Sequence, residues 1–317
     1  MQGDAELKRW SLFASSSKFE AAVDCFQKAA NCYKMVKKCA YCLPSPAAGI
    51  VLPHCTPAHR LVLPRFATLV RTCAGQEAGD AFSRCADCQT HLKSPHEAAT
   101  FYVEAANCFK KVDPSSAMNF FRNAIALYCE LGRFTTAAKH QQAIAELHEE
   151  DGELTEAIEN YQQASDYYLG EDAKAKSNAC LLKIATFASD EKIANYDRAI
   201  DIFEQVAETC LEKPLTKYNA KGYYLQAGFC VLCKGDTVAM RQKLDRYKDK
   251  DLTFADCREC KFLEDLTQDC EDYNVDDFTE HVYAFDNISK LDAWKTSILL
   301  RVKKAIESTG DDAVDLT

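Results

Sequence analysis

The sequence predicts an all-α protein: a tetratricopeptide-like solenoid of helical hairpins, closed by a C-terminal helical bundle. Three observations carry the prediction. Of 317 residues, 47% are hydrophobic and only 11 are Gly and 8 Pro, a composition that favours packed helices over a many-turned β fold. One helical template recurs: Ala, an aromatic at +4, Ala at +7 and an aromatic at +11, all on one helix face. Its later starts, Ala117, Ala157 and Ala199, stand 40 and 42 residues apart, the length of one helical hairpin unit.

Taken in order, the instances are Ala22-Phe26-Ala29-Tyr33, Ala98-Tyr102-Ala105-Phe109, Ala117-Phe121-Ala124-Tyr128 and Ala157-Tyr161-Ala164-Tyr168. A degenerate fifth is Ala199-Phe203-Val206-Cys210. Small Ala lets neighbouring helices approach, and the aromatic fills the groove beside it, which is how stacked helix pairs pack. The step from Ala22 to Ala98 spans nearly two periods. Within it, Tyr41 to Thr72 holds Pro44, Pro46, Pro53, Pro57 and Pro64, no acidic residue, and only Arg60, Arg65 and Arg71 as fixed charges. Prolines at that density oppose a regular helix, so residues 39–75 read as an insertion in an inter-helix loop. Helical patterning resumes at Glu77.

After about residue 215 the template fades into irregular helices with Phe254, Phe262, Tyr273, Phe278, Phe285 and Trp294, as expected of a bundle that covers the last apolar face of a solenoid. The expected organisation is therefore a solenoid over 1–215, a bundle over 216–305 and a flexible acidic tail over 306–317. A net charge of −10 argues against non-specific nucleic-acid binding. No apolar run is long enough to span a bilayer, and the N-terminus lacks a secretory core. The chain therefore reads as cytosolic and its 17 Cys as mostly reduced thiols.

Enzymatic chemistry finds no foothold: phosphate-cradling loops, His-Glu-x-x-His and Gly-x-Ser-x-Gly are all missing, so no catalytic residue and no cofactor are expected. Cys-x-x-Cys pairs occur at Cys39/Cys42, Cys85/Cys88, Cys230/Cys233 and Cys257/Cys260, a spacing able to grip zinc. Three of them fall in helical patterning, where two small apolar side chains on one face are the simpler reading. Only Cys39 and Cys42, with Cys55, His54 and His59, gather in irregular chain. Two rival functions follow from the residues alone: a generic peptide-binding helical-repeat adaptor, and a cysteine-based zinc or redox protein.

Longer strings are more specific. They include Ser17-Lys18-Phe19-Glu20, His96-Glu97-Ala98-Ala99, Phe109-Lys110-Lys111-Val112-Asp113-Pro114 and Gly132-Arg133-Phe134-Thr135-Thr136-Ala137-Ala138-Lys139-His140. Further along come Arg258-Glu259-Cys260-Lys261, Leu291-Asp292-Ala293-Trp294, Leu299-Leu300-Arg301-Val302-Lys303-Lys304 and an Asp-Leu-Thr terminus. This set resembles the alpha-type soluble NSF attachment proteins. The resemblance implies a twisted sheet of helical hairpins capped by a bundle and working as an adaptor, several copies of which line a syntaxin-type SNARE complex and recruit the hexameric ATPase NSF to disassemble it.

The resemblance also implies roles for particular residues. Lys110, Lys111, Arg133, Lys139, Lys183, Lys221 and Arg258 match the basic SNARE-binding positions. A basic position four residues before Lys183 in some relatives is Ala179 here, with Lys174 and Lys176 close by. Glu271, Asp272, Asp311, Asp312, Asp315 and Leu316 match the surface that binds and stimulates NSF. Trp10, Leu12 and Phe13 match an apolar loop that touches the membrane, implying a cytoplasmic protein held peripherally on membranes.

Overall fold

A computed structural model describes the backbone of residues 16–42 and 57–314 and the side chains of residues 19–35 and 74–308. Thirteen α-helices, one 3-10 turn and no strand occur among the described residues. They are α1 Ser16–Cys42, α2 Pro57–His91, α3 Pro95–Phe109, α4 Pro114–Glu130, α5 Phe134–Asp151 and α6 Leu154–Gly170, then α7 Lys174–Ala188 and α8 Tyr196–Leu211. After the 3-10 turn Lys217–Asn219 come α9 Ala220–Cys233, α10 Thr237–Lys250, α11 Arg258–Glu271, α12 Val275–Ile288 and α13 Ala293–Val314. The chain forms two compact units, Met1–Ala173 and Lys174–Thr317.

In the first unit each helix packs on its sequence neighbour, from α1 on α2 through α5 on α6; from α2 onward the connections are of a few residues, which leave little choice but an antiparallel return. The template positions are the packing face. Ala117, Phe121, Ala124 and Tyr128 are buried on α4, and Ala157, Tyr161, Ala164 and Tyr168 on α6. On α1 the pattern fits less well: Ala30 rather than Ala29 is fully buried, and Tyr33 remains 37% exposed. As the first described helix, α1 has its packing partner in α2, so its far ring stays at the surface. Between α2 and α3 the approach is close at Gly79, where a Cβ would stand 2.4 Å from the Phe109 ring.

The helix ends are specified locally. Asp113 accepts a hydrogen bond from the Ser116 N–H ahead of Pro114 at the first helical position, an arrangement in which the missing proline N–H costs nothing. Gly152 closes α5 in the left-handed conformation, φ 77°, which L side chains resist.

Two expectations about irregular chain need correction. The segment read as an insertion, 39–75, is helical over 39–42 and again over 57–75, so only its central part lies outside the described residues. Pro57 opens α2, where proline is tolerated. Pro64 removes one intrahelical hydrogen bond, a single loss within a helix of 35 residues. The segment 306–317 is likewise not irregular throughout, since α13 continues to Val314. Its buried stripe of Ile298, Leu299, Val302 and Ile306 carries helix into that segment.

The second unit is built around α9, buried on nearly every side, as a helix apolar all round must be. Tyr224, Leu225, Ala227, Phe229, Cys230, Val231 and Leu232 are all buried, and α8, α10, α11 and α13 pack against it. α13 is also latched by polar contacts. Trp294 Nε1 donates to Ser189 Oγ at 2.9 Å, and Arg301 Nη1 donates to the Ser189 carbonyl at 2.7 Å.

His140 on α5 stacks on Phe121 and Tyr128 of α4, with ring centroids 5.7 and 5.6 Å away. Burial, with Lys139 beside it, pushes its pKa down to about 4. The unfolded imidazole therefore takes a proton first as pH falls. Its contribution is complete above about 6.5 and is lost between there and about 4, amounting to at most about 3 kcal/mol. Urea unfolding of the parent and His140→Phe at pH 7 and pH 4.5 checks this: the variant should lose less stability on acidification, and an equal loss would remove His140 from the explanation.

Candidate functional site

The expected SNARE-contacting residues of the first unit lie on or beside α3 and α5. Lys110 caps the C-terminus of α3, and its Nζ stands 3.8 Å from Glu146 of α5. At the other end of the same two helices, Arg133, the N-cap of α5, reaches His96 of α3 at 2.7 Å. A guanidinium only donates, so His96 Nε2 is the acceptor in this contact. Lys139 lies seven residues before Glu146, hence on the same face of α5. Arg133, Lys139 and Lys110 thus follow one another along one layer of parallel helices. Lys111 and Lys139 are exposed and have no acidic partner among the described residues.

In the second unit, Lys183 on α7 is exposed, its Nζ 5.6 Å from the centre of the Phe187 ring. Lys221, in the first turn of α9, pairs with Glu259 at 2.9 Å. Burial is the strongest influence on the Glu259 carboxyl and works to raise it, but hydrogen bonding and charge attraction from Lys221, with hydrogen bonds from the backbone and Cys257, together outweigh it and leave the group below the usual carboxylate range. Arg258, adjacent in α11, is exposed and donates to Ser289 Oγ at 3.3 Å. Lys174, near the departure at Ala179, is 3.5 Å from Glu212.

These partners are what a reading of charge alone misses. His96, Glu146, Glu259 and Ser289 hold the basic groups in place, yet they stand far from them in sequence. His96 and Glu259 left a trace, each as part of one of the resemblance strings.

The residues expected to meet NSF are described in part. Glu271 is gripped by Arg241 of α10, whose Nε donates to its Oε1 at 2.7 Å while Nη2 donates to Oε2. Hydrogen bonding to Arg241 holds its carboxyl below the usual range. Asp272, the C-cap of α11, is exposed and accepts from Gln268 at 2.7 Å. Asp311 and Asp312 ride on the last turns of α13, and their side chains lie outside the described residues. Asp315, Leu316, Trp10, Leu12 and Phe13 also lie outside them.

Of the cysteine pairs, Cys85 and Cys88 are buried in α2 and Cys230 in α9. Burial pushes the Cys85 thiol up to about 12, the Cys233 thiol to about 11 and Cys230 higher still, which opposes the thiolate that metal binding and disulfide exchange need. Cys257 is not inside a helix: it caps α11, its Sγ accepting from the Cys260 N–H at 3.4 Å. Cys39 and Cys42 fall on α1 and His59 on α2 rather than in irregular chain, while His54 and Cys55 lie outside the described residues. Among the described residues, no three His, Cys, Asp or Glu gather as a metal site would require.

With the helical scaffold and its basic positions in view, the comparisons with known proteins are decisive. The family model described as "Soluble NSF attachment protein, SNAP" matches residues 72–307. The chain belongs to the soluble NSF attachment protein family. The alpha-soluble NSF attachment protein of Mus musculus is 37% identical over 302 residues, covering 95% of this chain and 89% of its own. The Vitis vinifera alpha protein is 35% identical, covering 100% of this chain and 96% of its own. A probable vesicular-fusion protein sec17 homolog of Schizosaccharomyces pombe is 31% identical, with 96% and 92% covered. In this soluble NSF attachment protein family member, no described helix is long and apolar enough to cross a membrane.

Proposed function

We propose that the chain is a non-catalytic adaptor of intracellular membrane fusion and vesicle transport. It binds syntaxin-type SNARE complexes and recruits and stimulates the hexameric ATPase NSF to take them apart. The observation that supports this most is family membership across nearly the whole length, with relatives named for NSF attachment and vesicular fusion. Basic side chains of each unit meet the acidic SNARE surface, several copies act together, and no cofactor is needed. Such contacts steer encounter and set register, so binding weakens with salt. Repeats up to about residue 215 form the scaffold, residues 216–305 close it, and the acidic end meets NSF. Trp10, Leu12 and Phe13 hold the cytoplasmic protein peripherally at the membrane.

Arg241 leaves Glu271 less available to a partner than Asp272, so on this reading Asp272 carries more of the NSF contact. Reconstitution tests the whole: the chain, NSF and ATP should disassemble a preformed SNARE complex. A folded sample that fails to do so leaves the generic peptide adaptor as the better reading, and bound metal or reversible thiol chemistry would favour the cysteine-based one. Within that assay, Leu316→Ala should retain SNARE binding yet cut stimulated ATP hydrolysis several-fold. Unchanged stimulation would remove Leu316 from the contact.

A further inference from the structure

Between α1, α2 and α3, within the first unit, lies an open groove of about 750 Å3. Its floor is α2, and α1 and α3 are its walls. We propose that it docks an extended peptide of about five residues carrying a basic side chain next to an apolar one. The length follows from α1, whose lining residues run from Val23 to Lys34. That is about 16 Å of helix at 1.5 Å per residue, matched by roughly five extended residues.

The floor offers what a peptide backbone needs. Gln89 is only 8% exposed and lines the groove, and its side-chain amide has no hydrogen-bond partner among the described residues. A primary amide carries two donors and one acceptor group. It can therefore pair with the N–H and C=O of a chain laid along it, whatever that chain's sequence. Gln27 and Asn31, one turn apart on α1, repeat the same chemistry on the wall.

The apolar and charged requirements come from the remaining lining. Phe101, half-buried and backed by the buried Phe82 at 6.3 Å between centroids, offers the apolar face for an aliphatic side chain. Lys34, over the Phe82 ring at 4.5 Å, is paired with Glu104 across the groove. This leaves Glu97 exposed, with no basic partner among the described residues, and Arg133, beyond His96, lies outside the lining. The unbalanced charge is negative, opposite to that of Lys111 and Lys139, so the groove selects a different chemistry from the basic layer. It requires neither partner proposed above.

The test uses the full-length chain and an end-blocked, fluorescein-labelled hexapeptide of alternating leucine and lysine, too short to hold a helix in water. Fluorescence anisotropy should show saturable binding. Replacing the lysines by glutamate should weaken it at least tenfold, as should Glu97→Lys, an exposed change that spares the fold, and Gln89→Leu, which keeps the volume but removes the amide. Melting curves confirm that each variant is folded. The proposal is overturned if the parent does not bind saturably, if a folded Glu97→Lys binds like the parent, or if both peptides bind equally.

Discussion

Phe203→Ala should destabilise the Lys174–Thr317 unit by about 3–5 kcal/mol, the range for removing a buried aromatic. Phe203 is 1% exposed and occupies the first aromatic position of the template on α8. Its ring meets Trp294 of α13 at 5.5 Å, and Trp294 in turn donates to Ser189. Truncation therefore opens a cavity under the helix that carries the acidic end. The urea midpoint should fall with an unchanged slope, whereas Phe203→Leu should cost well under half as much. Stimulation of NSF should fall along with α13, before SNARE binding by the first unit does. A loss below about 1 kcal/mol would mean that the template face is not the core.

Paired charge reversal, Lys111→Glu with Lys139→Glu, should weaken SNARE-complex binding at least tenfold at low salt. Both side chains are exposed and have no acidic partner among the described residues, so the change strikes the partner surface without breaking an internal bond. Surface charges of this kind act mainly through encounter and register, and their influence reaches only about 10 Å at 0.1 M salt. The deficit should therefore shrink as ionic strength rises, while the melting temperature stays within a degree or two of the parent. Calorimetric titration across a salt series measures both. Parent-like affinity at low salt would take these two residues out of the interface.

How far the molecule was legible differs by element. The repeats at Ala117, Ala157 and Ala199 were legible because burial of small and aromatic residues on one helix face is a local pattern with a fixed period. α2 was misread, since a count of prolines weighs each as a helix breaker, whereas Pro57 sits where proline is harmless and the cost of Pro64 is spread over a long helix. α9 carries Gly228, where a Cβ would stand 2.6 Å from Leu263. A one-faced template has no place for such a residue, because that helix is packed by four others. The cap role of Cys257 was hidden for a related reason: one residue at a helix boundary shifts from core to cap with a single change in backbone dihedral.

By itself, then, the sequence determined the helical class, the repeat, the Ala-and-aromatic packing face and the family, because each rests on residues near one another along the chain. Tertiary structure alone decided which charges are held and which are free: Lys110 beside Glu146, Lys221 on Glu259, Arg241 on Glu271, and Gln89 facing a groove with no partner among the described residues. An ion pair depends on distance in space, and in a stack of hairpins helices far apart in the chain share a surface.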